Sequence, residues 1–303
     1  MRRQNQHLTR TITIGYIVVV IVLVIILAVQ RLGPSSDEEA TQAVKESSEE
    51  VSNAESGSEA SDLSDTPDAG SSSEEDPAKE PRGVYFPTTD YLQPISRVQT
   101  SEKKVAITFD ASWNIDTFYD LLDILDEHNI KCTFFLVGYW IDAFPEAMEE
   151  LCRRGHEIGN HSDTHPDYTL LSYESIQQEL FACNDKIRPY YGKDPIVARP
   201  PSGAYNDNAI RAIRQAGMEV IQWDADSLDW IESTTENGLY ENIMSKVRPG
   251  SILLFHVEGY HTVKVLPRIL DELESQGYTF CTAYELIIKD DYTIDITGEQ
   301  QPK

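Results

Sequence analysis

Three regimes of hydrophobic and polar positions follow one another along the chain. Residues 11–30 contain no charge and are mostly Ile, Val and Leu. Twenty residues of helix rise roughly 30 Å, about the hydrocarbon thickness of a bilayer, so the run predicts a membrane-spanning anchor. A cleavable signal peptide usually has an apolar core of only about 7–15 residues before a small-x-small site. The run here is longer, and Ala28-Val29-Gln30 fits such a site poorly. Residues 31–82 offer almost no large apolar side chain and predict a disordered linker. From Val105 onward, short apolar runs alternate with helical patterns: Val105–Phe109, Lys131–Val137, Glu157–Asn160, Ile196–Arg199, Glu219–Trp223, Ser251–Phe255 and Thr279–Thr282. Between them, residues 116–128 carry Phe118, Leu121, Leu122 and Leu125 at helical spacing, and 172–190, 207–216 and 264–276 read as further helices. Gly155, Gly192, Gly217 and Gly277 stand where helices end.

Strands alternating with helices predict a parallel α/β fold, either a barrel or a doubly wound sheet. The polar residues at strand ends favour the barrel. Asp110 follows the first run, His161 the third, Arg199 closes the fourth, Asp224 and Asp226 follow the fifth, and His256 follows the sixth. In parallel barrels those strand ends converge on one mouth. The chain thus divides into a tail (1–10), an anchor (11–30), a linker (31–82), a lead-in (83–102), one α/β domain (103–290) and a C-terminal tail (291–303).

Charge sets orientation and narrows the partners. Arg2, Arg3 and Arg10 precede the apolar run, whereas residues 34–82 hold 15 acids against 3 bases. By the positive-inside tendency the N-terminus is cytoplasmic and the domain lies outside a plasma membrane crossed once. Residues 83–303 hold 36 acids against 18 bases, a sign that excludes nucleic acid as a natural partner. Cys132, Cys152, Cys183 and Cys281 form no C-x-x-C pair, and one disulfide remains open without a choice of partners.

The chemistry is concentrated in a few short stretches. His161 and His165, four apart in HSDTH, could share one cation. Asp110 behind VAITF is an odd charge to bury unless paired, and Arg199 could pair it. A structural ion pair is the plainer explanation for those two. The run Trp223–Trp230 packs three acids beside two indoles, which also suits an ordinary acidic loop.

Taken together, TFD (Thr108–Asp110), HSDTH (His161–His165), RPPSG (Arg199–Gly203), DSLDW (Asp226–Trp230) and LLFH (Leu253–His256) resemble the five ordered motifs of NodB-type polysaccharide deacetylases, carbohydrate esterase family 4. TFDASW is most similar to the sporulation-associated branch. The resemblance covers about residues 103–290. It implies a distorted (β/α) barrel of about seven parallel strands and metal-dependent removal of N-acetyl groups from a glycan, peptidoglycan or a chitin-like oligomer. By the same resemblance Asp110 is the general base held ionised by Arg199. His161 and His165 bind a divalent metal, zinc first, with cobalt, nickel or manganese as alternatives. His256 is the acid, tuned by Asp229. Ser202 and Gly203 offer peptide N–H groups to the oxyanion, and Trp230 and Tyr205 line the substrate pocket.

The chain departs from the family pattern at Ala111, where a second aspartate would complete the metal site. Asp163, Asp167, Ser112 or Asp110 itself are the candidates to compensate. Two functions follow: an active deacetylase, or a catalytically impaired glycan-binding or morphogenetic scaffold that uses the same groove.

Overall fold

The structure is a computed structural model that describes residues 92–303, all within one compact unit, Glu74–Lys303. The expected tail (1–10), anchor (11–30), linker (31–82) and first part of the lead-in lie outside the described residues. Among the described residues, no helix is long and apolar enough to cross a membrane.

In chain order the elements are β1 (Arg97–Val98), β2 (Lys104–Ala111), α1 (Phe118–Glu127), β3 (Thr133–Leu136), α2 (Gly138–Ala143), α3 (Pro145–Arg154) and β4 (Glu157–Asn160). Then come α4 (Tyr173–Tyr191), β5 (Val197–Ala198), α5 (Asp207–Gln215), β6 (Glu219–Val220), β7 (Ala225–Asp226) and α6 (Glu236–Met244). The chain closes with β8 (Ile252–His256), α7 (Thr262–Ser275), β9 (Thr279–Cys281), α8 (Ala283–Leu286), β10 (Tyr292–Ile294) and β11 (Glu299–Pro302). The main sheet runs β6-β5-β4-β3-β2-β8-β7, with β9 pairing to β2. Every pairing in it is parallel. It is a curled half-barrel of seven strands along this path, in keeping with the expected (β/α) barrel.

All seven apolar runs form strands. The sequence pattern missed β7, whose two residues lie inside the polar run Trp223–Trp230. It also missed α2, α6 and α8, and marked only the C-terminal end of α3, at Gly155. Helix α3 has Pro145 at its first turn and Arg153 and Arg154 in its last, favourable ends for a short helix. The four buried residues of α1 are Phe118, Leu121, Leu122 and Leu125, each worth roughly 1.5–3 kcal/mol of transfer free energy.

Strand parity sorts the core. On β2 the odd positions Val105, Ile107, Phe109 and Ala111 pack in the outer cluster with α1 and α7 residues such as Leu122 and Leu266. The even position Ala106 packs in an inner cluster with Phe135, Val197 and Ile252. A two-residue repeat leaves no other choice once one face is covered by helices.

The inner cluster is filled from the lead-in and the C-terminal segment, through Ile95, Val98, Tyr292 and Ile294. Residues 291–303 are therefore not a tail. Here β10 and β11 pair antiparallel, and β11 pairs parallel with β1. The alternating Tyr292 and Ile294 find an apolar floor to cover, which a pattern this short could not announce. The lead-in also crosses the seam between the outer strands: the Ile95 N–H donates to the Val220 carbonyl at 2.8 Å, and that of Val98 to the Gly250 carbonyl at 2.9 Å.

Gly250 is the tightest point of that seam. Its φ is +82°, and a Cβ would meet the Val98 carbonyl oxygen at 1.8 Å. Gly250→Ala is predicted to lower stability by about 1–3 kcal/mol from the backbone alone. A reduced urea midpoint with unchanged slope is the expected result; a wild-type midpoint would mean the lead-in does not pack here.

Candidate active site

The inner-face parity carries past the strand ends, where the inner positions become polar. Asp110 ends β2 one residue before Ala111, His256 ends β8 directly beside it in register, His161 follows β4 and Arg199 follows β5. Asp110, His161 and Arg199 are 5%, 1% and 1% exposed. Charges so deeply buried persist only when paired and hydrogen-bonded, and these are.

Arg199 is the hub. Its Nη1 donates to Asp110 Oδ1 at 2.6 Å, and Nη2 donates to Thr108 Oγ1 at 2.9 Å and to the Gln222 carbonyl at 3.3 Å. The guanidinium lies 4.2 Å over the Phe135 ring. Burial alone would raise the Asp110 carboxyl, but the Arg199 charge and hydrogen bond, with His256 adding to them, outweigh it and hold that carboxyl below the usual range. Asp110 is thus an ionised, anchored carboxylate.

The Arg199 main chain has a second task. His161 Nδ1 lies 2.8 Å from the Arg199 carbonyl, which can only accept, so Nδ1 carries the proton and Nε2 keeps its lone pair. That Nε2 lies 3.5 Å from Asp110 Oδ2, the separation of two ligands each about 2.0–2.1 Å from a tetrahedral zinc. Burial, with His165 adding to it, pushes His161 down to about 4, so it is neutral and able to ligate. His165 is lowered by burial too.

The loop carrying the histidines is strained and clamped. Ser162 and His165 both have positive φ, 70° and 59°. The Glu179 carboxylate on α4 accepts from the Asp163 and Thr164 N–H groups at 3.0 and 2.8 Å. This brings the His165 ring edge-on to His161, centroids 5.0 Å apart. Asp163 is ion-paired with Lys186 and Asp167 bonds Thr169 in the following turn. Neither carboxylate is available to replace the one absent at 111, which leaves Ser112 and Asp110 among the sequence candidates.

Asp110, His161 and His165 fit a divalent cation by the chemistry of their donors: two neutral imidazoles and an ionised carboxylate. The one trio among the described residues with donor atoms mutually within 4.8 Å is His128, Asp271 and Glu274. Ala111 faces the outer apolar cluster with Leu136, Val137 and Phe255.

Across the mouth, His256 Nδ1 bonds Asp229 Oδ1 at 2.7 Å, while Asp229 Oδ2 accepts from the His256 N–H at 2.9 Å and from Thr262 Oγ1 at 2.6 Å. Burial disfavours the imidazolium, but Asp229 and the charges of Asp110 and Glu258 outweigh it and push His256 up to about 9. Gly259 permits this packing, since a Cβ there would meet Asp229 Oδ2 at 2.1 Å. Of the other acids in this run, Asp226 bonds the Leu228 N–H and Trp223 Nε1, and Asp224 bonds Ser251 and the Ile252 N–H. Both hold the backbone.

The remaining expected residues divide. Trp230 is 58% exposed and Tyr205 36%, open aromatic faces. Ser202 and Gly203 form a turn with φ of 54° and 67°. The Gly203 N–H is already donated to the Pro200 carbonyl at 3.1 Å. Of the N–H groups around Ser202 and Gly203 expected to face the oxyanion, that of Gly203 is thus used within the turn that shapes this loop.

Three residues near the site escaped the sequence reading. Trp113 is 64% exposed and packs against Tyr139 and His165. Glu258 has a buried Oε2 without a hydrogen-bond partner, and so does the Tyr139 hydroxyl. Burial, with Asp110 adding to it, pushes Glu258 up to about 7 against the pull of its own N–H, His256 and the Ser112 N–H. Burial and the Glu258 charge push Tyr139 up to about 12. An acid two residues beyond the apolar LLFH run is the same signal that marked Asp110.

Residues 97–221 match the family model for polysaccharide deacetylase. A peptidoglycan-N-acetylglucosamine deacetylase of Bacillus cereus is 31% identical over 195 residues, which span 63% of this chain and 91% of that protein. The chain belongs to the polysaccharide deacetylase family. Its members are hydrolases acting on N-acetyl groups, and they are in general metal-dependent. The peptidoglycan-N-acetylmuramic acid deacetylase PdaA of Bacillus subtilis is 29% identical, over 63% of this chain and 73% of its own length. Among solved structures, BA3943 of Bacillus anthracis, a CE4 family pseudoenzyme, superposes with a TM-score of 0.62 at 28% identity, covering 69% of this chain and 73% of that one. A mutant of that pseudoenzyme, with restored enzymatic activity, is 31% identical at the same TM-score of 0.62, over 65% of this chain and 72% of that one.

The groups facing His256 are Asp229 from the loop after β7, Asp110 on β2 and Glu258 beyond β8. Its folded pKa lies above the unfolded value of about 6.5. The stability it lends is therefore full below that value and lost as pH rises through about 9. In Asp229→Asn the imidazole should titrate at lower pH than in wild type, followed by NMR of the ring protons. An unmoved titration would show that Asp229 does not set it.

Proposed function

We propose that the chain is a metal-dependent N-deacetylase of a glycan containing N-acetylglucosamine, with peptidoglycan as first substrate. The observation that carries this reading is that two prepared groups stand side by side at one mouth, at the ends of the neighbouring strands β2 and β8. One is an ionised carboxylate, Asp110, held by Arg199. The other is a charged imidazole, His256, held by Asp229. An amide resists water because its carbonyl must be attacked while its nitrogen is protonated. A base and an acid held at one mouth divide those transfers, each worth about 10²–10⁴-fold.

In the proposed reaction the bound acetamido group lies between them. Asp110 takes the proton of the attacking water, and Arg199 keeps the carboxylate ionised and oriented before that. His256 gives its proton from Nε2 to the leaving amine, because Nδ1 is committed to Asp229. The products are acetate and a free glucosamine amine. His161 and His165 would hold the divalent metal, zinc first with cobalt, nickel or manganese as alternatives, which when bound acidifies water and polarises the carbonyl. Trp230 and Tyr205 offer the sugar apolar faces. Substrate class is supported by the peptidoglycan deacetylases among the relatives. An anchor at 11–30 with a cytoplasmic N-terminus would put the domain beside the wall.

Ala111 and the likeness to a pseudoenzyme favour a second reading, a membrane-tethered glycan-binding scaffold using the same groove. The deciding experiment strips the full-length chain of metal and follows acetate release from N-acetylglucosamine oligomers and peptidoglycan as zinc, cobalt, nickel or manganese is returned. Metal-restored release, lowered about 10²–10⁴-fold in Asp110→Asn, is expected. No release with any metal from folded protein would leave the scaffold. Since His256 must be protonated and Asp110 ionised, kcat/KM should fall as pH climbs past about 9, and a rate still rising there would remove His256 as the acid.

A further inference from the structure

Trp113 lies at the mouth, and the proposed reaction leaves it without a task. It follows Asp110 by three residues, and its side chain is 64% exposed. The ring centroid lies 5.7 Å from that of Tyr139, the planes tilted by 34°, and 5.7 Å, edge-on, from that of His165. A single exposed apolar side chain calls for no explanation, and Leu170 and Ile296 are more exposed still. Trp113 differs in being held where it is. Before it, the Ala111 carbonyl accepts from the Val137 N–H at 3.2 Å. After it, the Asn114 carbonyl accepts from the indole N–H of the buried Trp140 at 3.2 Å, and Thr117 Oγ1 donates to the Val257 carbonyl at 2.8 Å. A loop pinned at both ends keeps the indole in the open. Contacts connect it to the reacting groups. His165 packs on His161, centroids 5.0 Å apart, and His161 Nε2 is 3.5 Å from Asp110 Oδ2. Asp110 stands beside His256, which is bonded to Asp229, and Trp230 is the next residue. Asp110 thus sits within a series of contacts that has an exposed indole at each end.

We propose that Trp113, backed by Tyr139, forms a second sugar subsite, which takes the apolar face of the N-acetylhexosamine adjoining the one whose acetyl group is removed. The substrate is then a chain of such sugars rather than a free amino sugar. A sugar ring with equatorial hydroxyls presents C–H groups on its faces, and an indole meets them with large, rigid contact area at low cost in conformational entropy. The pinned loop and the Tyr139 ring lower that cost further, because the platform is ordered before the sugar arrives. Trp230 and Tyr205 serve the reacting sugar, so the aromatics divide neighbouring units of one glycan between them. The inference rests on the glycan reading above, in either its catalytic or its scaffold form.

The test is binding of N-acetylglucosamine and of its tetramer to the full-length chain, by isothermal titration calorimetry, beside the acetate assay. Trp113→Ala should weaken binding of the tetramer by about 3–10-fold and leave that of the monosaccharide at its wild-type value. Trp113→Phe, which keeps a ring, should recover most of the lost affinity, with circular dichroism as the check of folding. Wild-type tetramer affinity in folded Trp113→Ala would overturn the proposal and leave the deacetylase reading standing. An equal loss for monosaccharide and tetramer would also overturn it, because Trp113 would then act on the reacting sugar itself. Tetramer binding that depends on Trp113, without acetate release under any metal, would remove the deacetylase reading and leave the subsite to the scaffold. A wild-type chain that binds no tetramer would remove the glycan reading and this one together.

Discussion

The ion pair between Arg199 and Asp110 organises the mouth of this half-barrel. A guanidinium buried to 1% exposure is tolerable only when its donors are used, and here they reach Asp110, Thr108, the Gln222 carbonyl and, more loosely, the Ile221 carbonyl at 3.4 Å. Those partners come from β2 and from the segment after β6, so the side chain ties together strands that do not neighbour one another in the sheet. Breaking such a pair from one side leaves an uncompensated buried charge. The same residue's carbonyl fixes the His161 tautomer. One arginine thereby sets the charge of the candidate base and the lone pair of the candidate ligand.

Parity explains why these residues meet at all. Strands buried on both faces offer one side to the helices and the other to the interior. The floor of that interior is closed by apolar residues of the lead-in and the C-terminal segment. The polar inner positions at the opposite strand ends are left to face one another. Catalytic geometry here follows from ordinary packing: the floor is sealed, and the mouth keeps its charges.

The two sides of the mouth are built differently. On the histidine side, a strained loop is clamped by Glu179 on α4, which suits residues proposed to hold a cation. On the His256 side, a buried aspartate accepts three hydrogen bonds, from imidazole, main chain and Thr262, which suits the proposed acid. The contrast between His161 at about 4 and His256 at about 9 comes from these surroundings, since the two side chains are chemically identical.

Much of this was legible in the sequence. The apolar runs became strands because a run of four to eight residues between helical patterns has few other places to go. Asp110, His161, Arg199 and His256 were visible as charges at run ends, where burial without a partner would be penalised. The strand β7 and helices α2, α6 and α8 were not legible, and α3 showed only its terminal Gly155, because two-residue strands and short helices are stabilised by what they pack on rather than by their own pattern. Nor was the pairing of residues 292–302 with the lead-in, which depends on an interior needing a floor. The acids of Trp223–Trp230 could be counted but their duties could not be separated, since hydrogen-bond partners far along the chain decide them. Glu258 beside Ser112, and a Gly203 N–H already consumed by its own turn, exist only in three dimensions. By itself the sequence determined which residues would be buried and charged; only the tertiary structure decided which of those charges answer one another, because that depends on distances between strands the chain reaches far apart.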